Sequence, residues 1–365
     1  MKLFRLSIIV VLILSFTSCK VGRFFVYNTA GITDFKIFPK NEIQKSDSSF
    51  YFINGIEKKP KSIKIDSEEI GFDEFLKDQK TVAFLVIRND SLLYERYFRN
   101  YDEESVVASF SMAKSVTSIL IGIAIDEGLI LSVDEPVTKY IPELSTNGFD
   151  KVTIKHLLQM TSGLDYDEGY FNPFGDVASF YYGTKLRQEI FQMELKHEPG
   201  TKFEYLSGNT QILGLILERV LKDRSISDYL QEKIWIPLEM EYDASWSIDR
   251  KENGIEKTFC CINARARDFA KIGRLYLNKG NWNGKQIVSK KWVEESTKVD
   301  RTAGSERYYQ YQWWLPSEDG DFMAQGILGQ YIYVHPDKNL IIVRLGKKQG
   351  KVSWWNVLPS LGKAY

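Results

Sequence analysis

Ser109-Phe110-Ser111-Met112-Ala113-Lys114-Ser115, running on through Val116-Thr117-Ser118-Ile119-Leu120-Ile121-Gly122-Ile123-Ala124-Ile125-Asp126, is the stretch around which the 365-residue chain is organised. Met112, Val116, Ile119, Leu120, Ile123 and Ala124 recur at spacings of three and four, and Gly128 supplies a stop. The predicted helix is apolar over most of its surface, so it belongs at the centre of a core. Ser111 and Lys114 stand one turn apart on one face at its start, within reach of each other. The positive field of a helix N-terminus helps a lysine shed its proton and favours a forming oxyanion. A neutral amine there could take the serine proton and create an acyl-enzyme nucleophile. The same residues also fit an N-cap serine followed by a solvated lysine, and residue physics alone leaves both readings open. Ser360-Leu361-Gly362-Lys363 has the same spacing, but it adjoins the chain end with no predicted scaffold.

Outward from this helix the pattern is sheet-forming at both ends. Val82-Ala83-Phe84-Leu85-Val86-Ile87 and Leu92-Leu93-Tyr94-Glu95-Arg96-Tyr97-Phe98 flank turn chemistry at Arg88-Asn89-Asp90-Ser91, which predicts a hairpin. Gln330 to Val334 and Leu340 to Leu345 flank His335-Pro336-Asp337-Lys338-Asn339, a second hairpin. Residues 130–245 read as helical with many loops, including a strong helix over about Thr210 to Leu221, and a further helix spans Ala264 to Leu277. Strands from both ends can form one antiparallel sheet flanked by helices, an α/β (α+β) architecture with an inserted all-helical lobe over about 130–245. A ligand would enter between the lobes. Polar, irregular residues 20–75 read as a tether and N-terminal extension, leaving 76–365 as the main domain.

Composition narrows the function. Lys plus Arg and Asp plus Glu each number 48, so the net charge is zero, which disfavours nucleic acid or an anionic membrane surface as the main partner. A hydrophobic fraction of 44% and an aromatic fraction of 14% exclude a disordered chain. Met1-Lys2-Leu3-Phe4-Arg5, the apolar run Leu6 to Phe16 and Thr17-Ser18-Cys19 resemble a bacterial lipoprotein signal over 1–19, with Cys19 as the lipidated residue. Phe16 departs from the aliphatic usual there; an ordinary secretory signal is the alternative. Either implies export, with membrane contact only through an N-terminal lipid anchor. Cys260 and Cys261 are adjacent, a geometry that rarely bridges. No His/Cys spacing indicates a metal site.

Several segments in order resemble the serine β-lactamase and penicillin-binding-protein superfamily. The Ser109–Ser115 segment is similar to its nucleophile motif. His156-Leu157-Leu158-Gln159-Met160-Thr161-Ser162-Gly163-Leu164 is similar to a helix-and-turn segment, and Ala264-Arg265-Ala266-Arg267-Asp268-Phe269-Ala270 to a later helix. Pro199 to Gly214, containing Tyr205-Leu206-Ser207-Gly208-Asn209, is similar to the second catalytic motif. Within the superfamily the chain most resembles class C-type esterases and nylon-oligomer (6-aminohexanoate-dimer) hydrolases, over about residues 78–348. The resemblance implies Ser111 as nucleophile, Lys114 as base and Tyr205 as a phenol passing a proton to the leaving group, its pKa lowered by Lys114. Ser207 would stand in for the asparagine of the common Tyr-x-Asn, and the nylon-oligomer hydrolases share this Tyr-x-Ser. No Lys-Ser/Thr-Gly third motif occurs. Gly326-Ile327-Leu328-Gly329-Gln330 fills the equivalent region, and the Ile327 and Ser111 amides would form the oxyanion hole. The group that binds a β-lactam carboxylate is thereby lost.

Tyr170 and Tyr181, with Asn209, are further candidates for the substrate cleft. A triad using His156, His197 or His335 lacks a Gly-x-Ser-x-Gly elbow and is disfavoured. Gly280-Asn281-Trp282-Asn283-Gly284-Lys285 has the wrong spacing for a phosphate loop. The expectation is an exported serine hydrolase, without cofactor or metal, acting on a small ester, amide or short peptide. A peptidoglycan D,D-carboxypeptidase and a catalytically silent binding lipoprotein of the same fold are the alternatives.

Overall fold

The computed structural model describes residues 20–27, 29–65 and 68–365; the expected signal, Cys19 included, lies outside them. The chain enters through helix α1 (Lys20–Tyr27), strand β1 (Lys40–Ile43) and the short strand β2 (Ile53–Asn54). The first expected hairpin follows as β3 (Thr81–Arg88) and β4 (Ser91–Tyr97). Its turn is Asn89-Asp90, both at positive φ (51° and 58°), the backbone twist that closes a two-residue hairpin. Every residue of β3 from Thr81 to Ile87 is buried, because both faces of the sheet are covered. Val82, Leu85 and Ile87 join the main core; Phe84 and Val86 join a second cluster with Phe72, Phe75 and Trp354. That two-sided burial explains the continuous apolar run in place of alternation.

Strand β5 (Val107–Ala108) leads into helix α2 (Met112–Asp126), which is buried from Met112 to Ala124 and stops at Gly128, φ +73°. The inserted lobe contributes α3 (Asp176–Tyr182) and α4 (Ser207–Leu221), the latter packed on α2. This lobe is helical apart from a two-residue strand pair, Leu164–Asp165 with Glu194–Leu195. Beyond it come β6 (Ala244–Ser247), β7 (Ile262–Ala264) and α5 (Ala266–Leu277). The C-terminal part holds β8 (Trp313–Trp314), β9 (Phe322–Gly326), β10 (Gln330–His335), β11 (Leu340–Gly346) and α6 (Trp354–Ala364). Ser360 and Lys363 thus sit on a helix after all, at the opposite end of the chain from the buried centre.

The large sheet runs β8-β9-β10-β11-β3-β4-β2, with the strand Tyr309–Gln310 outside β8. All pairings are antiparallel except β2 beside β4. Strands of the two hairpins therefore meet at the centre, β11 against β3. A smaller antiparallel sheet, β1-β6-β7-β5, ends at the turn that carries Ser111.

The N-terminal segment departs from the tether expected over 20–75. Ile32, Phe38, Ile43 and Phe52 are buried, β1 pairs with β6, and Arg23 Nη1 donates to the Tyr182 carbonyl. Isolated apolar residues among polar ones leave no periodic signal, and short edge strands acquire their meaning from a partner far along the chain. Ile43→Ala should cost about 2–5 kcal/mol of unfolding free energy in denaturant titration, whereas a true tether would give no measurable change.

Candidate active site

The turn that carries Ser111 is held from two sides. Ser109 N donates to Ile262 O (2.8 Å) and Ser109 Oγ accepts from Ile262 N (3.1 Å), which ties the turn to β7. Phe110 adopts φ +46°, a conformation that costs a side-chain-bearing residue about 1–3 kcal/mol, and Ser111 follows as the N-cap of α2 without using its hydroxyl as a cap. On the other side the end of β9 presses close: a Cβ at Gly326 would lie 2.4 Å from Ser109 O and 3.2 Å from Ser111 N. Only glycine lets the strand come this near, which places Ile327 beside Ser111 at the edge of the cavity.

Lys114 is 1% exposed, and its Nζ lies 3.0 Å from Ser111 Oγ, 3.1 Å from Ser207 Oγ and 2.9 Å from the Phe259 carbonyl. Burial lowers its pKa from 10.5 to about 8, against a smaller upward pull from Glu168. The Tyr205 hydroxyl lies close enough to Ser111 for the serine hydroxyl to favour the phenolate. Its ring centroid is 5.1 Å from Lys114 Nζ, and the ring packs on Trp314 and Tyr309. The lowered phenol pKa expected from the sequence is not found. Burial raises it, Glu168 adds to the rise, and the Ser111 hydroxyl offsets only part of this. Tyr205 is therefore held as a proton donor.

The segment 156–164 proves to be a clamp. His156 closes a capping box with Thr153, Met160 O accepts from Glu204 N (2.8 Å) and Thr161 O accepts from Gly200 N (2.7 Å). These bonds hold the strand-like approach to Tyr205. His156 is thus a structural cap, and neither His197 nor His335 lines the cavity beside Ser111.

Ser111 opens into a cavity of about 410 Å³. Phe110, Val177, Ala178, Phe259, Ile327 and Leu328 make it mainly apolar, and Lys348 is the charged residue of the lining. Tyr170 and Tyr181 both line it; Tyr181 sits on α3, with its hydroxyl donating to Asp34 Oδ2 (2.7 Å). Phe24 and Ala30 complete the wall from the N-terminal segment, which the sequence offered no reason to place there. Asn209 does not reach the cleft: it is fully buried, accepts from Ser162 Oγ and donates to Met160 Sδ, tying α4 to the clamp. A second cavity of similar volume lies beyond Trp314, lined by Tyr308 and Trp355, and does not touch Ser111.

Motif reading missed one further group and misjudged another. Lys257 is buried and donates to Phe180 O (2.8 Å) and Tyr181 O (2.9 Å), pinning the C-terminal end of the cleft helix α3; burial lowers its pKa to about 7. Cys260 and Cys261 are joined by a disulfide, contrary to the expectation for neighbours, with Cys261 at φ +74° in the turn that follows Phe259. Among the described residues no cluster of His, Cys, Asp and Glu could hold a metal ion, and no helix is long and apolar enough to cross a membrane.

A family model described as Beta-lactamase matches residues 72–354. The chain belongs to the beta-lactamase family. A 6-aminohexanoate-dimer hydrolase of Paenarthrobacter ureafaciens is 31% identical over 294 residues, covering 75% of this chain and 74% of that one. A solved Bacillus anthracis structure, provisionally assigned as a 6-aminohexanoate-dimer hydrolase, superposes with TM-score 0.78 at 27% identity over 90% of this chain and 89% of its own. A family VIII carboxylesterase shares the fold at TM-score 0.63 and 18% identity, over 80% and 95% of the two chains. This beta-lactamase-family chain is a serine hydrolase by kinship, and its centre is built to hold an amine short of water.

The family assignment makes the buried amine testable through pH. Below about pH 8 the Lys114 ammonium has no lone pair to accept a proton. A reaction using it as base therefore has kcat/KM rising about tenfold per pH unit on the acid side. The rise should level off near pH 8, measured with p-nitrophenyl acetate; a limb still climbing at the ordinary lysine value would exclude this role.

Proposed function

We propose that the chain is an exported hydrolase that cleaves an ester or amide with an uncharged, largely apolar acyl part through an acyl-enzyme on Ser111. The observation that carries this reading is a single oxygen, Ser111 Oγ, set 3.0 Å from a dehydrated amine, with the Tyr205 phenol beside it. As Ser111 Oγ bonds to the substrate carbonyl carbon, its proton passes to Lys114 Nζ. The carbonyl oxygen, now negative, would be met by the Ser111 and Ile327 amides. Collapse breaks the bond to the leaving group, which takes the Tyr205 proton, and the Lys114 ammonium restores the phenol. Water then attacks the acyl carbonyl by the reverse relay and frees Ser111. Each proton taken up is given back, so no cofactor enters the balance.

The apolar lining supports an acyl group of several carbons, and Lys348 offers the one charge for a substrate carboxylate at the cavity. A linear amide such as the one named for the Paenarthrobacter ureafaciens relative offers a carboxylate for Lys348, whereas the ammonium on its acyl half meets no acidic partner among the described residues of the lining, so an uncharged acyl group fits better. A peptidoglycan carboxypeptidase is less well supported, because Ile327 and Leu328 stand where that chemistry places Lys-Thr-Gly. Export and a lipid anchor at Cys19 are supported by the order of basic, apolar and small residues over 1–19.

Ser111→Ala should abolish covalent labelling by a fluorophosphonate probe; undiminished labelling would remove Ser111 as nucleophile. In a bacterial host fed labelled palmitate, the chain should acquire the label and Cys19→Ser should lose it. Equal incorporation in both would refute the anchor.

A further inference from the structure

The Glu168 carboxylate is the acidic group that acts on both Lys114 and Tyr205, and the relay described above does not use it. It lies on the loop between the clamp and α3 and reaches across to the start of α4. Oε2 accepts from Ser207 N (2.7 Å), and Oε1 accepts from Ser207 Oγ (2.7 Å) and from the Tyr170 hydroxyl (3.0 Å). The backbone bond anchors the carboxylate, so the Ser207 hydroxyl proton has a fixed destination.

We infer that Glu168 is a positioning residue which, by holding the hydroxyl proton of Ser207, turns the lone pair of Lys114 toward Ser111. The inference rests on Ser111 and Lys114 forming the nucleophilic pair proposed above. A neutral amine has two N–H donors and one lone pair. Around Lys114 Nζ stand the Phe259 carbonyl at 2.9 Å, which can only accept, and two hydroxyls, those of Ser207 at 3.1 Å and Ser111 at 3.0 Å. A hydroxyl has one proton to give. With that of Ser207 committed to Glu168, Ser207 Oγ must accept from Lys114. Phe259 and Ser207 then use both N–H groups, and the lone pair is left for the Ser111 proton. Without the carboxylate, Ser207 can direct its own proton at the amine. The lone pair is then occupied by the wrong hydroxyl, and an N–H faces Ser111.

The charge has a second, separable effect. Glu168 raises the pKa of Lys114 against the larger lowering by burial. Asp167 and Asp176 act with Glu168 on Tyr166, Lys348 lines the cavity, and Tyr205 and Tyr309 remain neutral phenols. Asp167 is already engaged by Gly169 N (2.8 Å) and Asn172 Nδ2 (2.7 Å), and Asp176 by Asp167 N (2.8 Å). Geometry and charge can therefore be dissected by substitution.

The test measures kcat/KM for p-nitrophenyl acetate against pH in the full chain, with Ser111→Ala as the control that judges the parent reading. Glu168→Gln should lower the plateau about 10- to 100-fold and move the acid limb to lower pH. Glu168→Asp retains the charge but withdraws the oxygen by one methylene, so its plateau should fall while the limb stays in place. In a Ser207→Ala background Glu168→Gln should cost little more at the plateau, because the hydroxyl it controls is gone. A merely structural role would lower the thermal midpoint and leave the limb unmoved. Full additivity with Ser207→Ala, or a wild-type plateau in Glu168→Gln, would overturn the proposal. Residual labelling of Ser111→Ala would instead sink the reading on which it rests.

Discussion

An amine kept from water and given only protein oxygens as partners is the constraint around which this molecule is arranged. An unburied lysine is an ammonium at neutral pH and useless as a base. Burial penalises the charged form, and at Lys114 that penalty exceeds the attraction of Glu168. The cost is met by surrounding structure: the Phe259 carbonyl, two serine hydroxyls and the ring faces of Tyr205 and Phe259 replace the lost hydration. The same dryness keeps Tyr205 protonated. One environment thus places a proton acceptor and a proton donor beside a single hydroxyl, the condition the proposed relay needs.

Building that environment takes contributions from every part of the fold. The small sheet delivers Ser109, the large sheet brings the Gly326 corner against it, and the inserted lobe supplies Tyr205, Ser207 and Glu168. The first fifty residues close the wall with Phe24 and Ala30. A second buried lysine, Lys257, fixes the C-terminal end of the cleft helix by satisfying the Phe180 and Tyr181 carbonyls, which would otherwise face apolar surroundings. The cavity is apolar because its walls are core elements meeting at their edges.

Much of this was legible in the chain itself. The buried helix after Ser111 announced itself by an apolar surface too broad for a solvent-facing element, and both hairpins by β-rich runs around turn residues. These signals are local, spanning a few neighbours, so residue order suffices to read them. The N-terminal segment was misread for the complementary reason: Ile43 and Phe38 are single apolar residues among polar ones, and their burial follows from β6 and α3, over a hundred residues away. Asn209 lay two residues from Ser207 and was a plausible cleft residue. On a helix those positions diverge by about 200°, which turns Asn209 into the core.

Residue order, read through a family resemblance, singled out Ser111, Lys114 and Tyr205 as candidates and gave the β-lactamase-like arrangement of sheet and helices, since motif spacing and local periodicity survive any rearrangement of the rest. Only the tertiary structure decided the direction of the Tyr205 shift, the pairing of Cys260 with Cys261 and the convergence of Glu168 on Ser207. Proton affinity is a property of dielectric surroundings and partners. Those are assembled from segments as distant as 24, 114, 168, 207 and 327, whose meeting no stretch of sequence can encode alone.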